Sequence, residues 1–103
     1  MTADWIRPDW PAPARVRALS TTRCGGVGGQ PYDSLNLGTH VGDLPASVAA
    51  NRAILRGVLP GEPYWLNQVH GTRVVDAACP DGVPDADASV SRRPGAVCVV
   101  MTA

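Results

Sequence analysis

The chain has 103 residues, and its nine basic residues balance nine acidic ones, so the formal net charge is zero. Balanced charge excludes the basic surface on which nucleic-acid binders depend, and 45% hydrophobic residues are too many for a disordered chain. No apolar run approaches the ~20 residues that cross a bilayer, and the first residues lack the basic and apolar segments of a secretory signal. With three cysteines and no Cys-x-x-Cys pair, we expect a soluble cytoplasmic protein that binds neither nucleic acid nor membranes.

The first half of the sequence is mostly irregular. An arm over residues 1–13 is rich in tryptophan and proline, and we expect its indoles to pack on the body of the protein. Residues 16–22 alternate as a strand does. Residues 24–34 form a glycine-rich loop, and residues 35–43 form an extended segment bounded by glycines.

A helix is the clearest predicted element. Pro45 suits the first turn of a helix. From Val48 to Leu59 the apolar residues and Arg52 recur at helical spacing, and the Pro-Gly pair that follows ends the pattern.

Strands are predicted in the second half. Residues 64–70 alternate, and residues 73–76 form a short strand. The apolar run at residues 96–101 is typical of a strand buried on both faces, with Cys98 as an inert core thiol. Because such a strand needs neighbours on both sides, we expect the domain to continue beyond residue 103. The pattern predicts an α/β fold, with α+β as the alternative.

His70 is the best candidate for chemistry. It ends the predicted strand, with Gln68 on the same face and Gly71 after it. Strand ends present side chains to functional sites, and histidine is a frequent metal ligand and acid–base group. A hydrogen-bonded histidine at a sheet edge explains the same pattern equally well, and His40 is a weaker candidate.

Anion binding has weaker candidates. Arg23 precedes the glycine-rich loop at residues 24–34, whose backbone N–H groups could form an anion nest. The loop lacks the Gly-Lys-Ser/Thr ending of a P-loop, so a plain surface loop is the better explanation. Arg52 is a second candidate anion contact, and Asp85 and Asp87 form either a carboxylate pair or a solvated turn.

Several segments match one known family in order and spacing. The sequence resembles the bacterial YfiH-like family, which is described both as polyphenol oxidoreductase laccase and as purine nucleoside phosphorylase. The matching segments are Thr21-Thr22-Arg23-x-Gly25-Gly26-Val27, Ser34-Leu35-Asn36-Leu37-Gly38, His40-Val41-Gly42-Asp43, Asn51-Arg52, Gln68-Val69-His70-Gly71, Ala86-Asp87-Ala88 and Pro94-Gly95.

The resemblance implies a fold and a site. The fold is a single-domain α/β sandwich with a mixed sheet, of which residues 1–103 are the N-terminal portion. The site is a zinc centre, with His70 as catalytic residue and metal ligand. A cysteine and a second histidine complete it from family segments, Thr-Ala-Asp-Cys-Leu-Pro and His-Ala-Gly-Trp-Arg-Gly, that lie beyond residue 103. Arg23, Asn36 and Gln68 are the expected substrate-binding residues.

The resemblance also implies activities. A zinc enzyme of this kind would use phosphate to cleave adenosine, inosine, guanosine or methylthioadenosine, and would deaminate adenosine. The alternative within the family is a copper-dependent polyphenol oxidoreductase. If the 103 residues are complete, a non-enzymatic interaction module that pairs its last strand with a partner is a further alternative. The oligomeric state stays open.

Overall fold

A computed structural model describes residues 5–102. Its strands pair in parallel, Pro63–Tyr64 with Val97–Cys98 and Val74–Asp76 with Ala88–Val90, which is the predicted combination of helix and parallel strands in an α/β fold. Only two-stranded pieces occur within residues 5–102, so the mixed-sheet sandwich stays a prediction. The elements are helix α1 (Pro45–Arg56) and strands β1 (Pro63–Tyr64), β2 (Val74–Asp76), β3 (Ala88–Val90) and β4 (Val97–Cys98).

The described residues fall into two compact units, one up to Ala53 and one from Ile54 onward. In the first unit Trp5, Leu35 and Val48 are buried. Its one β-bridge joins Ile6 to Ser20, among the residues that the structure describes.

Helix α1 confirms the sequence prediction. It begins at Pro45, whose missing N–H costs nothing in a first turn. It ends at Arg56, and single hydrogen-bonded turns carry the chain on to residue 59 before the Pro-Gly pair. The buried side of the helix carries Val48, Asn51 and Leu55, whereas Arg52 is only half-buried.

The second unit is built around a small apolar cluster. Tyr64, Leu66, Ala77 and Ala86 are buried together, and Val75 of β2 and Ala96 pack against them. Strand β2 confirms the prediction at residues 73–76. Beside the two strand pairs, a parallel bridge joins Asn67 to Asp85.

Two predicted strands are wrong in extent. Only Ser20 of the strand predicted at residues 16–22 makes a bridge. The strand predicted at residues 64–70 shrinks to β1, which ends at Tyr64. The chain leaves β1 at Trp65, whose N–H donates back to the Pro63 carbonyl (3.0 Å) in a tight turn, and His70, at φ 59° in the left-handed region, ends the segment.

The predicted burial of the apolar run at residues 96–101 is also wrong for the described residues. β4 covers only two residues and pairs with β1 alone. Cys98 is exposed rather than a core thiol, because no second neighbouring strand covers it within residues 5–102. Of the arm predicted at residues 1–13, residues 1–4 lie outside the described residues. Trp5 is buried as predicted, whereas Trp10 is 51% exposed, so the predicted packing of its indole is wrong. No helix between residues 5 and 102 has the length and apolarity to cross a bilayer.

Candidate functional site

His70 lies on a tight turn. The turn follows the bridge at Asn67, and His70 occupies its left-handed position with an exposed side chain. Non-glycine residues rarely adopt that conformation, and when they do the surrounding structure holds them there. The imidazole is therefore presented to solvent by a turn that needs outside support.

Asp87 supplies this support. Its Oδ1 accepts hydrogen bonds from the N–H groups of Val69 (3.1 Å) and Gly71 (2.8 Å), and its Oδ2 accepts one from the N–H of His70 (2.8 Å). The Gly71 N–H contributes most to lowering the pKa of the Asp87 carboxyl below its ordinary value; burial opposes this, and the other two N–H groups and the imidazole add to it. We name residues 69–71 with this carboxylate the His70 turn.

The sequence showed Asp87 only as half of a carboxylate pair or as a solvated turn residue. The two carboxylates do not form a pair in the structure. Asp85 accepts a hydrogen bond from the side chain of Asn67 (2.7 Å), whereas Asp87 accepts hydrogen bonds from the main chain. The signal for Asp87 was weak. Aspartate is a common acceptor for nearby backbone N–H groups, but the sequence does not show which ones.

Gln68 binds the main chain near residue 101. Its Nε2 donates to the carbonyl of Met101 (2.9 Å), and its Oε1 accepts from the N–H of Met101 (2.7 Å). This reciprocal pair imitates one rung of a β-ladder. The amide is thus already engaged, and a contact of Gln68 with substrate stays a prediction.

A metal ion would find one suitable ligand here. His70 offers an exposed imidazole on a held turn, which fits a ligand that other groups complete. A catalytic zinc takes about three protein ligands, and no three His, Cys, Asp or Glu side chains cluster for a metal within residues 5–102. The three cysteines are free and exposed. Zinc, and copper as its alternative, stay predictions that need ligands from elsewhere.

Three consecutive N–H groups of the glycine-rich loop bond to acceptors within the protein. Gly26 donates to Ser34 Oγ (3.0 Å), Val27 to Asn51 Oδ1 (2.9 Å) and Gly28 to the Ser34 carbonyl (2.8 Å). N–H groups that already donate to acceptors within the protein are not available to bind a phosphate. The structure thus favours the surface-loop explanation over the anion nest.

Asn51 fastens this loop to helix α1. Its side chain is fully buried, and its Nδ2 donates to the carbonyls of Ser34 and Asn36, each at 3.0 Å. A Cβ at Gly26 would overlap the Ser34 carbonyl oxygen and lie 2.5 Å from Asn51 Oδ1, so only glycine fits there. This role of Asn51 was not predicted from the sequence. The available signal was an asparagine, a poor helix-interior residue, between two apolar positions of the helix.

Asn36 makes a local turn. Its Oδ1 accepts from the N–H of Gly38 (3.0 Å), and its Nδ2 donates to the Gly38 carbonyl and to Asp43 Oδ2, both at 3.2 Å. The amide is therefore used within the first unit. A contact of Asn36 with substrate stays a prediction.

The two candidate arginines differ. Arg23 is exposed, and its carbonyl oxygen accepts from the N–H groups of Ser34 and Leu35. Arg52 is half-buried, and its Nε donates to the Leu37 carbonyl (2.8 Å). Arg23 and Asn36 belong to the first unit, and Gln68 and His70 to the second. A cavity of about 310 Å³ beside Arg52 is also lined by Thr39, Asp43, Pro45, Val48 and Ala49.

The elements and the motifs around His70 define an α/β chain of one particular family. The family described as multi-copper polyphenol oxidoreductase laccase has a model that matches residues 17–103. The chain belongs to this family, which confirms the resemblance seen in the sequence.

Relatives and a solved structure agree with this assignment. The chain is 58% identical over 99 residues to a purine nucleoside phosphorylase of Pseudomonas aeruginosa, covering 96% of this chain and 40% of that protein. It is 54% identical over 101 residues to purine nucleoside phosphorylase YfiH of Escherichia coli, covering 95% and 42%. A crystal structure of a Neisseria meningitidis protein, described as DUF152, matches with a TM-score of 0.78 and 54% identity over 84% of this chain and 36% of that chain. The chain thus spans about 40% of the length of the curated relatives it matches.

Proposed function

We propose that the whole protein acts on purine nucleosides and uses phosphate to cleave adenosine, inosine, guanosine or methylthioadenosine. The names of its relatives support this, at 58% and 54% identity over nearly all of this chain. In phosphorolysis, a phosphate oxygen attacks C1′ of the ribose, the bond from C1′ to the purine nitrogen breaks, and the purine leaves. The site must therefore bind a phosphate anion beside an uncharged purine ring.

His70 is the proposed zinc ligand, and deamination of adenosine is the proposed second activity. The observation that supports the ligand role is the exposed imidazole on a turn held by three hydrogen bonds to Asp87. The deamination proposal rests on the family resemblance. Zinc, when bound, would supply Lewis acidity. His70 would be one ligand among about three, and the others would come from outside residues 5–102.

Arg23 is the proposed phosphate contact. Its side chain is exposed, and a guanidinium binds phosphate through two parallel hydrogen bonds. Asn36 and Gln68 are proposed to contact the nucleoside, with the amide of each already bonded within its own unit.

The family description favours a second candidate, copper-dependent oxidation of polyphenols. Imidazole binds copper as well as zinc, so His70 would serve in either case. The metal content and the substrate that is turned over separate the two candidates.

The test compares two histidine variants of the whole protein, His70→Ala and His40→Ala. Both remove an exposed imidazole. We expect His70→Ala to lose stoichiometric zinc, measured by elemental analysis, and to lose purine release from inosine with phosphate and ammonia release from adenosine, both followed by chromatography. We expect His40→Ala to keep all three. Retained zinc and turnover in His70→Ala would contradict the proposed role of His70, and copper with phenol oxidation would favour the second candidate.

A further inference from the structure

The His70 turn contains a conformational problem of its own. An L-residue at φ 59° places its Cβ close to the following carbonyl, so an isolated peptide avoids this geometry. The turn is also exposed at Val69, His70 and Gly71, so apolar packing does not hold it. Something other than burial must select this conformation.

The carboxylate of Asp87 is the group that selects it. It accepts the N–H groups of three consecutive residues, at 3.1, 2.8 and 2.8 Å. Three consecutive N–H groups converge on one carboxylate only when the backbone between them is curved. The left-handed residue at the centre of the turn supplies that curvature.

The backbone around Asp87 is itself fixed by hydrogen bonds and by strand β3. Its neighbour Ala86 is fully buried and donates its N–H to the Asn67 carbonyl (3.1 Å), and the N–H of Asp87 donates to the Arg73 carbonyl (3.3 Å). Strand β3, paired with β2, begins at the next residue. The carboxylate therefore has a defined position from which to hold the turn.

We propose that Asp87 is a positioning residue for His70, fixing the backbone of residues 69–71 so that the imidazole is held ready for a metal ion. This inference rests on the proposed function of His70 as a metal ligand. Three main-chain N–H groups take most of the roughly four acceptor positions of the carboxylate, so the proposed role of Asp87 is exerted through His70. Loss of a residue that orients a metal ligand typically lowers metal affinity about 10- to 100-fold.

The first measurement uses the wild-type whole protein without metal. We expect the amide hydrogens of Val69, His70 and Gly71 to exchange slowly with deuterium, although these residues are exposed. Exchange as fast as in an open loop would overturn the proposal. This measurement stands even if the protein binds no zinc, so its result is independent of the proposed function.

The second measurement compares Asp87→Asn with Asp85→Asn. In Asp87→Asn an NH₂ group replaces one acceptor and opposes the N–H groups of the turn, whereas Asp85 contacts the side chain of Asn67. We expect Asp87→Asn to bind zinc about 10- to 100-fold more weakly in competition with a coloured chelator, and to show a more mobile His70 ring by NMR. We expect Asp85→Asn to match the wild type.

Asp87→Glu is a second variant that keeps the test valid if Asp87→Asn does not fold. Asp87→Glu keeps the charge and moves the carboxylate by one methylene. We expect it to fold and to bind zinc with an affinity between those of the wild type and Asp87→Asn. With Co²⁺ in place of zinc, we expect its absorption spectrum to differ from that of the wild type. Equal zinc affinity and equal His70 ring mobility in the wild type and both Asp87 variants would overturn the proposal. Slow amide exchange with no zinc bound by the wild type would instead refute the proposed function and leave Asp87 as the residue that orders the turn.

Discussion

Replacing Asn51 by alanine tests how the glycine-rich loop is held to helix α1. The side chain is fully buried and makes three hydrogen bonds, accepting from the N–H of Val27 and donating to the carbonyls of Ser34 and Asn36. Alanine removes all three bonds and leaves a space where the amide was. The Ser34 carbonyl keeps a donor, the N–H of Gly28.

The magnitude follows from the groups that lose this partner. A buried polar group left without a hydrogen bond costs about 1–3 kcal/mol. The Val27 N–H and the Asn36 carbonyl each lose the Asn51 side chain as partner, both at part-buried positions. With the cavity added, we expect Asn51→Ala to lower the free energy of unfolding by roughly 2–4 kcal/mol. That is a large part of the ~5–15 kcal/mol typical of a protein.

The assay is urea unfolding of the whole protein, followed by fluorescence and circular dichroism. Asn67→Ala is the matched control, because Asn67 is exposed and its side chain donates to Asp85; we expect a loss under about 1 kcal/mol. Asn51→Asp is nearly the same size but sets a carboxylate oxygen against two carbonyls, so it should destabilise at least as much as alanine. A loss below about 1 kcal/mol for Asn51→Ala, or a stable Asn51→Asp, would refute this reasoning.

Two further predictions concern single contacts. Gly26→Ala should destabilise the protein by several kcal/mol, as overpacking in a core does, because the Cβ of the alanine would overlap the Ser34 carbonyl. Gly29→Ala, where a Cβ meets nothing within 4 Å, should stay within about 1 kcal/mol by the same unfolding assay; equal effects of the two would contradict the predicted clash. Gln68→Ala should speed deuterium exchange of the Met101 amide at least tenfold, since that N–H donates to Gln68 Oε1 at 2.7 Å. Unchanged exchange at Met101 would show that the reciprocal pair does not form in solution.

Local patterns were enough for some features of this protein. Helix α1 was predictable because apolar residues recur every three to four positions after Pro45, and helical hydrogen bonds join residues that are close in sequence. Strand β2 was predictable from its β-branched residues Val74 and Val75, although the sequence did not show that β3 would be its partner. His70 was a candidate from its place before Gly71, and the motifs around it pointed to the family that the comparison confirmed.

Tertiary structure decided what supports those residues. His70 was predicted on a strand end, but its left-handed turn depends on a carboxylate 17 positions away. The loop at Val27 depends on an amide 24 positions away, and Gln68 on main-chain atoms 33 positions away. Each of these partners is chosen by the folded path of the chain. The type of a polar residue shows that it can accept or donate a hydrogen bond. Only the fold brings one particular N–H or carbonyl within about 3 Å of it.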